Sequence, residues 1–92
     1  MKWYVVMYEY ARVWHVDVLC RSEKELDTEV AFQYWFVEAI RLSIERLGLR
    51  KEGSNVVPEA KAYEISCIGN NNKMEVVVGS SPVISEKHIE LI

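Results

Sequence analysis

The sequence predicts an α+β domain in which an antiparallel sheet packs on one long helix, in the order ββαββ. Four segments, at 3–10, 13–21, 60–68 and 73–78, are rich in aromatic and β-branched residues, which is typical of strands. Between the second and third segments, residues 23–47 show helical periodicity and have capping signals at both ends. The connections within each pair of strands are short, which favours two hairpins. The tail at 83–92 is apolar enough to dock on this domain as an edge strand or a turn of helix.

The first hairpin predicts two faces of different character. If its turn centres on Ala11, side chains of alternate residues fall on a common face because the side-chain period of a strand is two. The predicted core face carries Tyr4, Val6, Tyr8, Trp14, Val16, Val18 and Cys20. The other face is mixed, but Trp3, Val5, Met7 and Leu19 make it more apolar than an ordinary solvent-facing sheet. This second face is therefore a predicted buried or binding surface.

Both ends of the helix are marked in the sequence. Ser22 and Glu25 have the spacing of a capping box, and Asp27 or Thr28 offers a later N-cap. At the other end, Gly48 stands where a left-handed C′ residue is favoured.

The predicted helix has two apolar faces. At 100° per residue, one stripe holds Leu26, Val30, Val37, Ile40, Ile44 and Leu47, with Gln33 interrupting it and Phe36 beside it. A second group lies on roughly the opposite side and consists of Phe32, Trp35, Ala39 and Leu42 with Ala31. A helix on a single sheet needs one stripe, so the second group predicts an interface unless another part of the chain covers it. Because Gln33 interrupts the first stripe, the roles of the two faces could also be exchanged.

After the helix, residues 50–59 form a predicted polar loop, and Gly69 to Asn72 form a predicted turn. If that turn keeps Cys67 opposite Met74, then Met74, Val76 and Val78 face inward.

Composition restricts the class of protein. The chain has 92 residues, which predicts a single domain, and its 50% hydrophobic and 27% charged residues are typical of a globular protein. A net charge of −3 argues against nucleic-acid binding by general phosphate attraction. The sequence has neither a signal-peptide pattern nor an apolar run long enough to cross a bilayer, which predicts a cytoplasmic protein with no membrane association. Cys20 and Cys67 are then expected to be reduced thiols in the core.

His15 and Asp17 are the weak candidates for catalysis. They lie two apart on a strand and point the same way, with Met7 and Val5 expected opposite them, so the imidazole could act as a general base beside the carboxylate. Two such groups are too few for a structural metal site, and the sequence contains no phosphate loop, nucleophile elbow or metal-binding motif. We therefore predict no metal and no cofactor, and an enzyme is the less favoured class.

The leading prediction is a non-enzymatic, homo-oligomeric interaction module that regulates or inhibits another macromolecule, with a dimer favoured. The predicted interface residues are Phe32, Trp35, Ala39, Leu42, Trp3 and Met7. An alternative is a small-ligand binding or sequestering protein whose aromatic-lined pocket lies between subunits. A third is a small hydrolase or isomerase that uses His15 and Asp17.

Overall fold

The computed structural model describes residues 1–22, 28–51, 54–70 and 72–91. Within these ranges the chain forms an α+β fold with one α-helix and one antiparallel sheet of five strands. The elements are β1 (Lys2–Tyr10), β2 (Val13–Arg21), α1 (Glu29–Arg46), β3 (Val56–Asn70), β4 (Lys73–Val78) and β5 (Ile84–Glu90). The predicted class is confirmed, but the order is ββαβββ rather than ββαββ, because the tail forms the fifth strand.

The sheet has the order β2-β1-β3-β4, and β5 also pairs with β3. The third strand begins at Val56, earlier than the predicted residue 60, and it is 15 residues long. Its first half pairs with β5 and its second half with β4, so these two short strands follow one another along the same edge of β3. Between them, the Gly79 N–H donates to the carbonyl oxygen of Glu64 and the Val83 N–H donates to that of Ala62. These bonds hold the connection against β3.

The first hairpin has a two-residue turn, Ala11–Arg12, in which both residues have positive φ. The turn does not centre on Ala11, and Tyr8 therefore pairs with His15 and Tyr4 with Leu19. This shift of one residue moves every side chain of β2 to the other face. The predicted core positions Trp14, Val16, Val18 and Cys20 are exposed, and that prediction is wrong.

The helix begins at Glu29, with Thr28 as its N-cap: the Thr28 hydroxyl accepts a hydrogen bond of 3.0 Å from the Ala31 N–H. Residues 23–27, which the longer predicted helix and the capping box included, lie outside the described residues. At the other end, Gly48 has a φ of +66° and its N–H donates to the Glu45 carbonyl oxygen, as a C′ glycine does.

The helix buries a single stripe, made of Phe36, Ile40, Ser43 and Ile44. Phe32, Trp35 and Val37 pack at its margins, and Val30 and Leu42 are exposed. Ile40 and Ile44 belong to the first predicted stripe, so that stripe supplies part of the buried face, whereas Phe32 and Trp35 of the second group lie at its margin.

The core lies between α1 and one face of the sheet. Its buried apolar residues come from β1, α1, β3 and β5: Tyr4, Val6, Tyr8, Tyr10, Phe36, Ile40, Ile44, Val57, Ala60, Ala62 and Ile89. The described part of β4 contributes none of them, and all six of its residues are exposed.

Candidate functional site

The side of the sheet that faces away from α1 is an apolar surface, which we call the open face. Residues that pair directly across antiparallel strands share a face, so the strand register defines its members. They are Trp3, Val5, Met7, Trp14, Val16, Val18, Cys20, Tyr63, Ile65, Cys67, Met74, Val76 and Val78. The same register places Glu9, Glu59 and Lys61 on this face, because Glu9 pairs with Trp14 and Glu59, and Lys61 pairs with Met7. The open face therefore runs across β2, β1, β3 and β4 and is apolar except at this end.

Much of this surface is in contact with solvent. Val16 is 59% exposed, Val18 is 53% exposed and Met74 is 76% exposed, and Trp3, Trp14, Val76 and Val78 are also exposed. These seven residues together present on the order of several hundred Å² of accessible surface, which is comparable with the largest apolar patch of a typical monomer, about 300–600 Å², and such patches are often functional. The open face is thus large enough to mark an interaction site.

The β3–β4 ribbon extends the open face beyond the body of the domain. The pairing of β1 with β3 ends at Ile65, so from Ser66 onward β3 has β4 as its described neighbour. The register places Cys67 opposite Val76 and Gly69 opposite Met74. The predicted pairing of Cys67 with Met74 is therefore wrong by two residues, and Met74, Val76 and Val78 face solvent on the open face instead of facing inward.

Charged residues lie at one end of the open face. Glu9 pairs with Glu59, and Glu59 pairs with Lys87 across the other side of β3. The Lys61 ammonium is 3.4 Å from the Glu59 carboxylate. The two carboxylates and two ammonium groups balance one another, so the open face carries no net charge. The chain as a whole has a net charge of −3.

Both cysteines belong to the open face. Cys20 pairs with Trp3 and Cys67 pairs with Val76, and both are free and exposed. The prediction that they are core thiols is wrong, because the hairpin registers turn them away from the helix.

The predicted catalytic pair lies on the helix side of the sheet. His15 and Asp17 do share a face, but they pair with Tyr8 and Val6 rather than lying opposite Met7 and Val5. The His15 ring stacks on the Tyr8 ring at 5.3 Å, and its Nε2 atom is 3.3 Å from the Tyr10 carbonyl oxygen. The Asp17 carboxylate forms an ion pair with Arg46 at the end of the helix and accepts a hydrogen bond from the Val18 N–H. Each member of the pair is thus held by a separate structural partner.

Next to this pair, the Tyr8 hydroxyl and the Ser43 hydroxyl form a buried hydrogen bond of 2.7 Å. Burial is the main reason that the pKa of Tyr8 is raised; the Asp17 carboxylate raises it further, whereas Ser43 and Arg46 act in the opposite direction. The phenol is therefore protonated at neutral pH and even less acidic than an ordinary tyrosine, and both Tyr8 and Ser43 are almost completely buried. Neither group is therefore placed to attack a substrate from solvent.

The six predicted interface residues divide between two sides of the sheet. Trp3 and Met7 lie on the open face. On the helix, the Phe32 and Trp35 rings pack against Tyr4, each with a centroid distance of 5.4 Å, and the Arg21 guanidinium lies over both rings. Ala39 is half-buried and Leu42 is 60% exposed. Residues of β1 and β2 thus take up part of the helix flank that was predicted as an interface.

A shallow groove of about 500 Å³ lies between the start of α1 and the segment at 83–86. Its lining includes Phe32, Val83 and Ile84, and the Gln33 amide donates to the Glu86 carboxylate across it, at 2.9 Å.

On the open face, Trp3 and Trp14 lie at opposite ends of the first hairpin, where they pair with Cys20 and Glu9. The large aromatic residues of the open face are therefore not gathered into one pocket.

Across the described ranges, the structure contains no cluster of three or more His, Cys, Asp or Glu side chains arranged to hold a metal ion. The helix that the structure describes is not long and apolar enough to span a membrane.

The fold and the open face together define an α+β domain that has one side of its sheet packed by a helix and the other side apolar and exposed. In comparisons with known proteins, no family model, curated protein or solved structure matches the chain.

Proposed function

We propose that this chain is a non-enzymatic protein-interaction module that regulates or inhibits another macromolecule by binding it through the open face. The observation that supports this proposal is the exposed, largely apolar surface shared by four strands, whose charged residues lie at one end and balance one another. The two free, exposed thiols fit a reducing compartment, and we therefore propose that the module works in the cytoplasm.

The open face is a stronger candidate for this contact than the helix flank. Phe32 and Trp35 already pack on Tyr4 and beneath Arg21, so a partner would gain less apolar burial there. Burial contributes roughly 25 cal/mol for each Å² of apolar surface, so the larger exposed surface supplies the larger driving force.

Binding to a target protein tests the proposal, with variants matched for exposure. Val16→Glu and Val18→Glu place a charge on the open face, and Leu42→Glu places the same charge on the helix at a similarly exposed position. Proteins captured from the source cells by the wild type would be purified and their affinity for each variant measured by calorimetry. We expect the two open-face variants to weaken binding at least tenfold and Leu42→Glu to leave it within about twofold, because a charge desolvated at an interface is costly.

Two results would contradict the proposal. One is the absence of any captured protein that binds the purified chain saturably. The other is a target whose affinity falls for Leu42→Glu and not for the open-face variants, which would move the contact to the helix.

A second candidate is the binding of a small ligand in the groove between α1 and residues 83–86, which has a volume in the range of ligand sites. Thermal unfolding in the presence of a library of small amphiphilic molecules tests it, because a ligand of the folded state raises Tm. A shift that persists in Val83→Arg, whose side chain would enter the groove, would rule out this location.

A further inference from the structure

We infer that, when no target is bound, the open face is covered by a second copy of this chain, in a two-fold dimer whose two sheets pack face to face. This inference rests on the proposed function, since the second copy and the target would use the same surface. Self-association would then regulate target binding, because each subunit must leave its dimer before its open face can contact a target.

The size of the open face matches what a stable dimer needs. Its seven exposed apolar residues alone present on the order of several hundred Å², and a standard protein interface buries about 800 Å² on each partner. In a two-fold dimer the same patch is used twice, so its apolar part must be complementary to itself. A broad sheet surface lined with valines fulfils this condition, since two such sheets pack about 10 Å apart with their side chains interleaved.

The charges of the open face also permit two copies to approach. A second copy brings an identical set of charges, so a face with net charge would repel itself. The charged end holds Glu9, Glu59, Lys61 and Lys87, which balance, and the remaining net charge of the chain lies elsewhere. In a two-fold arrangement the carboxylates of one copy can face the ammonium groups of the other.

The β3–β4 ribbon is a second reason to infer that the surface covering the open face is the sheet of another copy. An isolated two-stranded ribbon is marginally stable in water, and β4 is exposed along its whole length. Packing on the sheet of a second copy would bury Met74, Val76 and Val78 and supply the layer that the ribbon lacks. The dimer would then have four layers, in the order helix, sheet, sheet, helix.

The test is the mass of the purified protein in solution, measured by light scattering after size exclusion and by sedimentation velocity over a wide range of concentration. We expect the wild type and Leu42→Glu to have about twice the monomer mass of 10.7 kDa. We expect Val16→Glu to have the monomer mass and to keep the circular dichroism of the folded chain. Val76→Lys, on the exposed ribbon, serves as a second open-face variant if Val16→Glu fails to fold.

Thiol alkylation gives an independent readout of the same contact. Cys20 and Cys67 are exposed in the single chain and would be covered in the dimer. We expect both to react at least tenfold more slowly in the wild type than in the monomeric variant. Equal rates in a folded dimer would place the dimer contact elsewhere and overturn the inference.

The two proposals fail in different ways. A wild type that stays monomeric at every concentration, yet binds a target that Val16→Glu no longer binds, would overturn the second copy as the occupant and leave the proposed function intact. A dimer that depends on Val16, with no target that binds saturably, would support the inference and contradict the proposed function.

Discussion

The hydrogen bond between Tyr8 and Ser43 places two hydroxyl groups inside an otherwise apolar core. Tyr8 comes from the central strand β1 and Ser43 from the buried stripe of α1, so the bond fixes the helix at one position along the sheet. In the sequence, Ser43 is a polar residue beside the apolar Ile40 and Ile44, with no local signal of its role. The structure shows that the serine is matched by a tyrosine on the sheet.

Replacing Ser43 by Ala should lower the free energy of unfolding by about 1–3 kcal/mol, since the buried Tyr8 hydroxyl would lose its partner. Urea unfolding measures this change. The double variant Tyr8→Phe, Ser43→Ala should recover part of the loss, because it removes both polar groups. Strict additivity of the two single changes would show that the hydrogen bond contributes nothing to stability.

The raised pKa of Tyr8 leads to a prediction for alkaline conditions. Burial holds the proton on the folded phenol at a pH where the unfolded phenol, with an ordinary pKa of about 10, has lost it. The contribution of Tyr8 to the free energy of unfolding is therefore fully present below about pH 10, the pKa of the unfolded phenol. It is lost as the pH rises through the higher pKa of Tyr8 in the folded chain. Burial raises the pKa of Tyr4 as well, so it acts in the same direction.

Measurement of the free energy of unfolding against pH checks this sign. We expect the wild type to lose stability above about pH 10 and Tyr8→Phe to lose it less steeply, since one of the responsible groups is gone. A steeper loss in the variant would contradict the assignment to Tyr8.

At the scale of the element, the turn between β1 and β2 decides which residues of β2 enter the core. Hairpin turns of two residues require positive φ at both positions when they are of type I′, and Asn-Gly is the favoured pair there. Here Ala11 and Arg12 hold φ values of +53° and +67°. Neither residue signals this turn in the sequence, so the sequence pattern does not distinguish it from a turn centred on Ala11.

Replacing Ala11 by Asn and Arg12 by Gly should therefore stabilise the chain. A left-handed residue other than Gly or Asn costs roughly 1–2 kcal/mol, so we expect the pair to raise the free energy of unfolding by about 1–2 kcal/mol. Urea unfolding measures the gain, with Ala11→Val as a control that should destabilise. A loss of stability in the Asn-Gly variant would show that this turn is not of the I′ type.

How much of the fold the sequence predicts depends on the kind of feature. Strands and helix follow from local patterns, and the Gly48 cap and the existence of the first hairpin are predicted correctly, whereas the register of that hairpin is not. Register depends on a single residue in a turn, and a slip of one reverses both faces of a strand. The open face is predicted in part, since Trp3, Val5 and Met7 make that side of β1 unusually apolar. Leu19, predicted beside them, pairs with Tyr4 and lies on the helix side, and only the register shows that Val16 and Val18 extend the open face.

In the whole molecule, one face of the sheet is packed by the helix and the other is exposed. If two copies associate through the exposed face, the stability of the chain depends on its concentration. If folding and association are linked, mass action raises the Tm of the wild type as its concentration increases. We expect the Tm of Val16→Glu to be independent of concentration and that of Leu42→Glu to follow the wild type. A constant wild-type Tm over a hundredfold range of concentration would contradict a dimer of moderate affinity.

The central position of β1 has a consequence for the order of folding. Its neighbours are β2, which follows directly, and β3, whose residues Glu59–Ile65 come 50 to 62 residues after the β1 residues with which they pair. Contacts between residues so distant in sequence slow folding, because the loop must close before the pairing can stabilise it. During synthesis, the β1–β2 hairpin can therefore form early but must wait, with one edge of β1 unpaired, until Ile65 has left the ribosome.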